Sequence, residues 1–282
     1  MDAKQKLALK GRGFIPQKED GYFNMRVITD CGNLTAQQLR VLAEIAQEYG
    51  RGYLGATTRL TVELPWIKAE DVETVAKLVS DAGMQIGGTG KRVRAVVACK
   101  GTICPSGLCD TQGIGREIAR KYFGMELPTK FKIGVVGCPN NCAKAQLNDF
   151  GLMGQRVPSF HREKCVNCGK CVTVCRAKAL KKEDKTLIFH QEQCVNCGKC
   201  IDACKLGAMT ESAAGLAVYV GGKFGRQIRI GDRLEGLYPV ERAVELVDRT
   251  IRYFKENGRE GERFSSLLDR VGTEELVKIL EA

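Results

Sequence analysis

RVRAVVACKGTICPSGLCDTQGIGREIARKYFGMELPTKFKIGVVGC, residues 92–138, carries the pattern that decides the fold. The β-rich run RVRAVVAC at 92–99 reads as a strand, and a cysteine-rich turn follows it. A helix is predicted from about Asp110 to Phe123, and FKIGVVGC at 131–138 reads as a second strand, giving an α/β rhythm. Upstream, residues 34–50 open with a Thr35-x-x-Gln38 capping box and place Leu39, Leu42, Ile45 and Ala46 at helical spacing before Gly50. Arg59-Leu-Thr-Val-Glu-Leu64 alternates as a strand, residues 69–83 read as a helix ending at glycine, and a first strand is expected near 22–29. That order is β-α-β-α. Downstream, residues 161–207 turn short and cysteine-dense, LAVYVGG at 216–222 resumes as a core strand, and the tail from Pro239 to Gly258 reads as helix. The cysteine-dense block is therefore an insertion into a domain that closes after it.

A chain of 282 residues that is 44% hydrophobic can bury a substantial core. It has no apolar run near twenty residues, so no membrane span is expected. MDAKQKLALKGRGF at its start lacks the apolar stretch and small-residue cleavage site of a secretory signal, so a cytoplasmic location is expected. Fourteen cysteines in that compartment cannot be a disulfide framework, and their spacings are those of metal ligands. The formal charge of +11 counts every cysteine as neutral. Clusters held by four thiolates each contribute a charge of about −2, which offsets about half of that excess and leaves a bias toward anionic ligands or an acidic partner. The positive charge is dispersed, there is one Trp, and no groove-reading motif occurs, so nucleic acid is not an expected partner. GIGREI at 113–118 sits inside a helical pattern and not after a strand, so no nicotinamide site is read.

Within the insertion, Cys165-x2-Cys168-x2-Cys171-x3-Cys175 is followed by Cys194-x2-Cys197-x2-Cys200-x3-Cys204, and CVNCGKC occurs in both copies. Two such runs resemble the bacterial two-cluster ferredoxin, whose fourth cysteine ligates the other cluster. The resemblance implies one [4Fe-4S] cluster on Cys165, Cys168, Cys171 and Cys204 and a second on Cys194, Cys197, Cys200 and Cys175. Arg176 and Lys205 stand where that family usually has proline. The spacing does not match a zinc ribbon or knuckle. A cluster with four thiolate ligands has no open iron position, so the role implied is electron relay.

Outside the insertion lie Cys31, Cys99, Cys104, Cys109, Cys138 and Cys142. ACKGTICPSGL at 98–108 and GCPNNCAKAQLNDFGLMG at 137–154 resemble the sirohaem and [4Fe-4S] signature of the sulfite and nitrite reductase family. The resemblance implies a third cluster, with Cys138 and Cys142 as its second pair and Cys142 bridging to sirohaem iron. For the first pair it favours Cys99 with Cys104, the alternative being Cys104 with Cys109. Both pairs are C-x4-C where the family usually has C-x5-C. Cys31 reads as a core residue.

The resemblance extends over nearly the whole chain. It implies an α+β protein with a ferredoxin-like half-domain at 1–90, an α/β sirohaem-binding domain at 91–160 and 208–282, and the inserted ferredoxin domain at 161–207. Carried over by position, Arg59, Arg94, Lys130 and Lys132 would surround the bound anion, where a substrate losing oxygen as water needs cations and proton donors. Arg51, Lys91 and Arg92 are candidate partners of the sirohaem carboxylates. The activity implied is six-electron reduction of sulfite, with nitrite as the alternative, fed by an external ferredoxin or electron-donating subunit. An electron-transfer subunit without catalysis and a reductase of another substrate are the competing readings. Larger relatives contain this unit twice, so a homo-oligomer is expected, a two-fold axis pairing the cysteine loops with the neighbour's basic residues.

Overall fold

The computed structural model describes residues 1–184 and 186–281. Its first unit begins with a helix that the sequence pattern did not announce, α1 (Ala3–Arg12), capped by reciprocal bonds between Asp2 and Gln5. The helix buries no residue and leaves Leu7 68% exposed, so it carries no apolar stripe to read. Strands β1 (Phe14–Pro16) and β2 (Tyr22–Ile28), helix α2 (Ala36–Tyr49), strands β3 (Gly55–Ala56) and β4 (Val62–Lys68), helix α3 (Val72–Asp81) and strand β5 (Gln85–Ile86) complete it. β2 pairs antiparallel with β1, β4 and β5, and β4 with β3. Alternation on β2 turns Phe23, Met25 and Val27 inward against Leu42 and Ile45 of α2 and Val75 and Val79 of α3. Each such fully buried side chain contributes about 1.5–3 kcal/mol. The predicted capping box of α2 is present, Thr35 Oγ1 accepting from Gln38 N at 3.1 Å.

The strand expected at Arg59–Leu64 starts later, at Val62, and runs to Lys68. Residues 57–61 form the turn between β3 and β4, closed by Thr57 N to Thr61 O at 2.8 Å and Leu60 N to Thr57 O at 3.1 Å. Leu60 sits there at φ +57°. This turn, and not a strand face, carries Arg59.

The second unit contains β6 (Val97–Ala98), α4 (Thr111–Tyr122), β7 (Ile133–Val136), β8 (Phe150–Phe160), β11 (Met209–Val220), β12 (Asp232–Arg233), α7 (Val240–Asn257), α8 (Phe264–Val271) and α9 (Thr273–Glu281). Between β8 and β11 come α5 (Lys170–Val174), β9 (Leu180–Glu183), β10 (Thr186–Phe189) and α6 (Lys199–Ala203). The sheet order is β12-β11-β8-β7-β6; β6, β7 and β8 run parallel, and β8, β11 and β12 antiparallel. Of the strand expected at 92–99, only Val97 and Ala98 join the ladder. Arg92 and Val93 make single bridges to Glu126 and Phe131, so the preceding chain is bent away from regular pairing. Rings of Phe131, Phe254 and Phe264 pack at 5.3–5.8 Å and fasten α7 and α8 to the sheet.

β8 and β11 pair from Phe150↔Val220 to Phe160↔Met209, so residues 161–208 leave from one end of a hairpin, its neck closed by His161 N to Ala208 O at 2.8 Å. The duplication in sequence is repeated in backbone. Asn167 and Asn196 both have positive φ, and each donates its N–H to the first cysteine of its run, Cys165 or Cys194, at 3.4 Å. Among the described residues no helix is long and apolar enough to cross a membrane.

Candidate functional site

Two cysteine loops leave the parallel strands side by side. Cys99 directly follows β6, and the turn after it is held by Cys104 N to Lys100 O at 2.9 Å and Gly107 N to Cys104 O at 2.8 Å. The second loop, between β7 and β8, carries Cys138 and Cys142; Asn141 N bonds Cys138 O at 3.1 Å. The loops touch backbone to backbone, Leu108 N donating to Gly137 O at 2.8 Å and Gly137 N to Cys99 Sγ at 3.2 Å. Only glycines permit this approach. A Cβ on Gly107 would lie 1.8 Å from Gly101 O, and one on Gly137 would lie 2.9 Å from Gly101 Cα.

Above the loops opens a cavity of about 690 Å³. Cys99, Cys104, Cys138 and Cys142 all line it, with Arg59, Lys132 and Asn148 on its walls and Phe224 at its edge. The volume lies within the span of cofactor sites, roughly 300–1,000 Å³. Arg59 reaches in from the half-domain, donating to Asn148 Oδ1 at 3.1 Å, Ala95 O at 2.7 Å and Ile133 O at 3.3 Å, so it also ties the two units together. Its Nε is buried without a partner among the described residues. Burial pulls its guanidinium down to about 10, still charged at neutral pH. Lys132, shielded from water and facing Arg59, is lowered further, to about 8. Behind Lys132 a fully buried carboxylate, Asp149, accepts the Lys132 backbone N–H at 2.9 Å and pairs with Arg263 at 2.9 Å.

The other expected basic residues are placed elsewhere. Arg94 donates to the carbonyls of Gly88 and Gly90, and burial, with Arg26 and Arg263 close by, lowers it to about 10. Lys130 is lowered by burial and by Arg263 and Arg94. Neither lines the cavity. Arg51 stacks on Trp66 at 3.6 Å and faces Glu19, Lys91 pairs with Glu260 at 2.5 Å, and Arg92 with Glu126 at 3.7 Å. None of these three lines the cavity. The two-fold arrangement was expected to supply Arg59 and Lys132 from a neighbour; within one chain, Arg59 and Lys132 line the same cavity as its own cysteines.

Cys109 packs against the main core, and burial pushes its thiol up to about 12. It does not line the cavity, whereas Cys99 does. Cys31 is buried at 4% exposure, its thiol raised to about 11 by desolvation. In the insertion, Cys175, Cys194, Cys197 and Cys200 line one small cavity of about 20 Å³. That is the crossed grouping implied by the two-run pattern. Cys165, Cys171 and Cys204 share an apolar cluster with Leu180, Leu187 and Met209 that also holds Cys175 and Cys200, and Cys168 is exposed. Four soft thiol donors around the large cavity and four around the small one suit iron-sulfur clusters, and the large cavity with an orphaned guanidinium N–H suits an anionic macrocycle.

Asn148, Lys144, Asp149 and Arg263 join the site without having been expected from sequence. Lys144, also on the cavity wall, lies two residues past Cys142 at φ +53° with its ammonium 5.6 Å from the Phe224 ring. Its place so near a cysteine pair is a sequence signal of the site. Arg263 gave none, being 114 positions from its partner.

Comparison with known proteins agrees with this construction. Residues 89–282 match the nitrite and sulphite reductase 4Fe-4S domain, and residues 15–82 the nitrite/sulfite reductase ferredoxin-like half domain. The chain is 35% identical over 266 residues to the coenzyme F420-dependent sulfite reductase of Methanocaldococcus jannaschii, covering 92% of this chain and 42% of that protein. It thus spans less than half of that relative. It is 32% identical over 169 residues to an anaerobic sulfite reductase subunit of Salmonella typhimurium, covering 53% of this chain and 48% of that one. Among solved structures, dissimilatory sulfite reductase I superposes with a TM-score of 0.74 at 19% identity, covering 93% of this chain and 69% of that chain, a likeness of fold. With a ferredoxin-like half-domain packed on a 4Fe-4S domain, in a mixed α/β fold, the chain belongs to the nitrite and sulfite reductase family.

Proposed function

We propose that the chain is a sirohaem-dependent reductase of sulfite to sulfide, with nitrite reduction as the alternative at the same site. The observation that carries this reading is one cavity lined by four cysteines together with Arg59 and Lys132. Cys99, Cys104, Cys138 and Cys142 would hold a [4Fe-4S] cluster, Cys142 being the link to sirohaem. When bound, the sirohaem and its cluster supply an open iron position and the electrons.

The chain's own residues do the rest. Arg59 holds the anion's charge and, titrating far above neutral pH, gives up no proton. Lys132, at about 8, is mostly protonated at neutral pH and gives its proton readily when a departing oxygen becomes water. Sulfite loses three oxygens as three waters, consuming six protons and six electrons, so the site needs a proton donor that is reloaded from solvent. Phe224 and Leu147 cover part of the cavity with apolar surface, which strengthens both charges inside it. In the insertion the Cys165 and Cys194 sets would hold two further [4Fe-4S] clusters that pass electrons inward from an external ferredoxin or partner subunit. A two-fold homo-oligomer would give Arg94 and Lys130 a neighbour's anion to face.

Anaerobic purification followed by a visible spectrum and iron and sulfide analysis tests the reading. Haem bands that shift with sulfite or nitrite, and iron near thirteen per chain, about four for each cluster plus the haem, are expected. Iron near eight without a haem band would reduce the protein to an electron carrier.

A further inference from the structure

The two halves of the insertion share CVNCGKC, yet the fold treats them differently. The second half is pressed against the main sheet: Arg156 N donates to Asn196 O at 2.8 Å, and Arg156 and Cys197 pair as a parallel bridge. The Arg156 side chain then clamps Asp202 at 2.9 Å and Glu211 at 2.5 Å. A crevice of about 60 Å³ is lined by Cys138 and Pro139, by Val195 and Cys197, and by Val174, Arg176 and Ala177 on either side of Cys175, the one residue of the first run that the crossed pairing gives to the Cys194 set. Cys197 of this half therefore stands beside the second cysteine loop of the large cavity.

The first half looks outward. Cys168 is exposed where its counterpart Cys197 is half-covered, and Val166 is 65% exposed against 45% for Val195. Hydrogen bonds around it stay within the insertion, Leu187 N to Asn167 Oδ1 at 3.0 Å and Arg162 Nη1 to Leu187 O at 2.8 Å. Charge divides the same way. Residues 161–184 hold seven Lys and Arg against three Asp and Glu, while residues 190–207 hold two of each. Lys164 and Lys170, both exposed, flank Cys168, and Glu163 is the acid nearest to them in sequence.

We propose that this outer face, Val166 and Cys168 between Lys164 and Lys170, is the docking surface for an acidic one-electron carrier protein, and that the Cys194 half is the inner station. The inference rests on the reading that both halves hold clusters. A small apolar contact ringed by lysines suits a brief encounter, since the lysines steer an acidic carrier and little apolar area delays its release. A cluster held by Cys165, Cys168, Cys171 and Cys204 would accept one electron at a time from the carrier's reduced centre, with no bond formed and no proton transferred.

The test uses the full-length loaded protein and a chemically reduced, acidic plant-type [2Fe-2S] ferredoxin as probe. Stopped-flow reduction at low salt should slow about tenfold or more in Lys164→Glu/Lys170→Glu, and its dependence on salt should flatten. Lys77→Glu, on α3 of the half-domain, should leave both unchanged. Zero-length cross-linking of the unaltered protein should join the probe's carboxylates to Lys164 or Lys170. Cross-links confined to Lys199 or to the main domain, or an unaltered rate in the double variant, would overturn the proposal. Iron content and the electron paramagnetic resonance of the reduced protein separate the failures. An insertion without clusters defeats the underlying reading, whereas loaded clusters reached from another face defeat this one alone.

Discussion

Lys132→Met should make the unloaded chain more stable and the loaded one a poorer anion binder. Burial and the facing Arg59 hold the Lys132 ammonium at about 8, below its ordinary 10.5. Between those values the unfolded chain binds a proton that the folded one does not, so stability rises with pH across the window from about 8 to 10.5. Below 8 the fold carries the full cost of a charged, desolvated ammonium. Each tenfold loss of proton affinity corresponds to about 1.4 kcal/mol, but a half-buried amine is screened by solvent, and the discounted cost is about 1–2 kcal/mol. Lys132→Met removes it. Urea unfolding of the cofactor-free proteins should therefore show the variant about 1–2 kcal/mol more stable at pH 7 and nearly equal to the parent by pH 10. In the loaded protein, sulfite affinity read from the haem spectrum should decline above pH 8 in the parent and show no such limb in the variant. An equal gain in stability at both pH values, or an Nζ that titrates near its ordinary value by NMR, would refute the reasoning.

Cys99→Ser should lose about four irons per chain by analysis, while Cys109→Ser should lose none, because Cys109 points into the core. Arg263→Ala should cost roughly 3–5 kcal/mol in thermal or chemical unfolding, since it leaves the buried Asp149 carboxylate without its cation. Arg59→Ala should weaken anion binding by ten- to a hundredfold in spectral titration, and Arg59→Lys should restore part of it by returning charge without the fork. Cys175→Ser should alter the resonance signal of the cluster served by Cys194, Cys197 and Cys200 and not that of its own run.

Local chemistry was readable wherever a few adjacent residues settle it. The cysteine spacings declare their own ligand geometry, the Thr35-x-x-Gln38 box caps α2 by itself, and Phe23, Met25 and Val27 alternate because one face of β2 meets the core. Where side chains meet across long separations, sequence had nothing to say. Arg59 reads as a strand residue, yet a turn delivers it to Asn148, 89 positions away, and so to the cysteines. Arg51, Lys91 and Arg92 are basic residues of the expected kind, but carboxylates and a Trp ring closer in space claim them. Cys99 and Cys109 flank Cys104 at equal spacing, and only packing tells them apart: one edges the cavity and the other joins the core. The candidate ligands were thus written in short-range pattern. Which cations share their cavity, and which half of the repeat faces it, came from how the sheet, the half-domain and the insertion exclude water from one another.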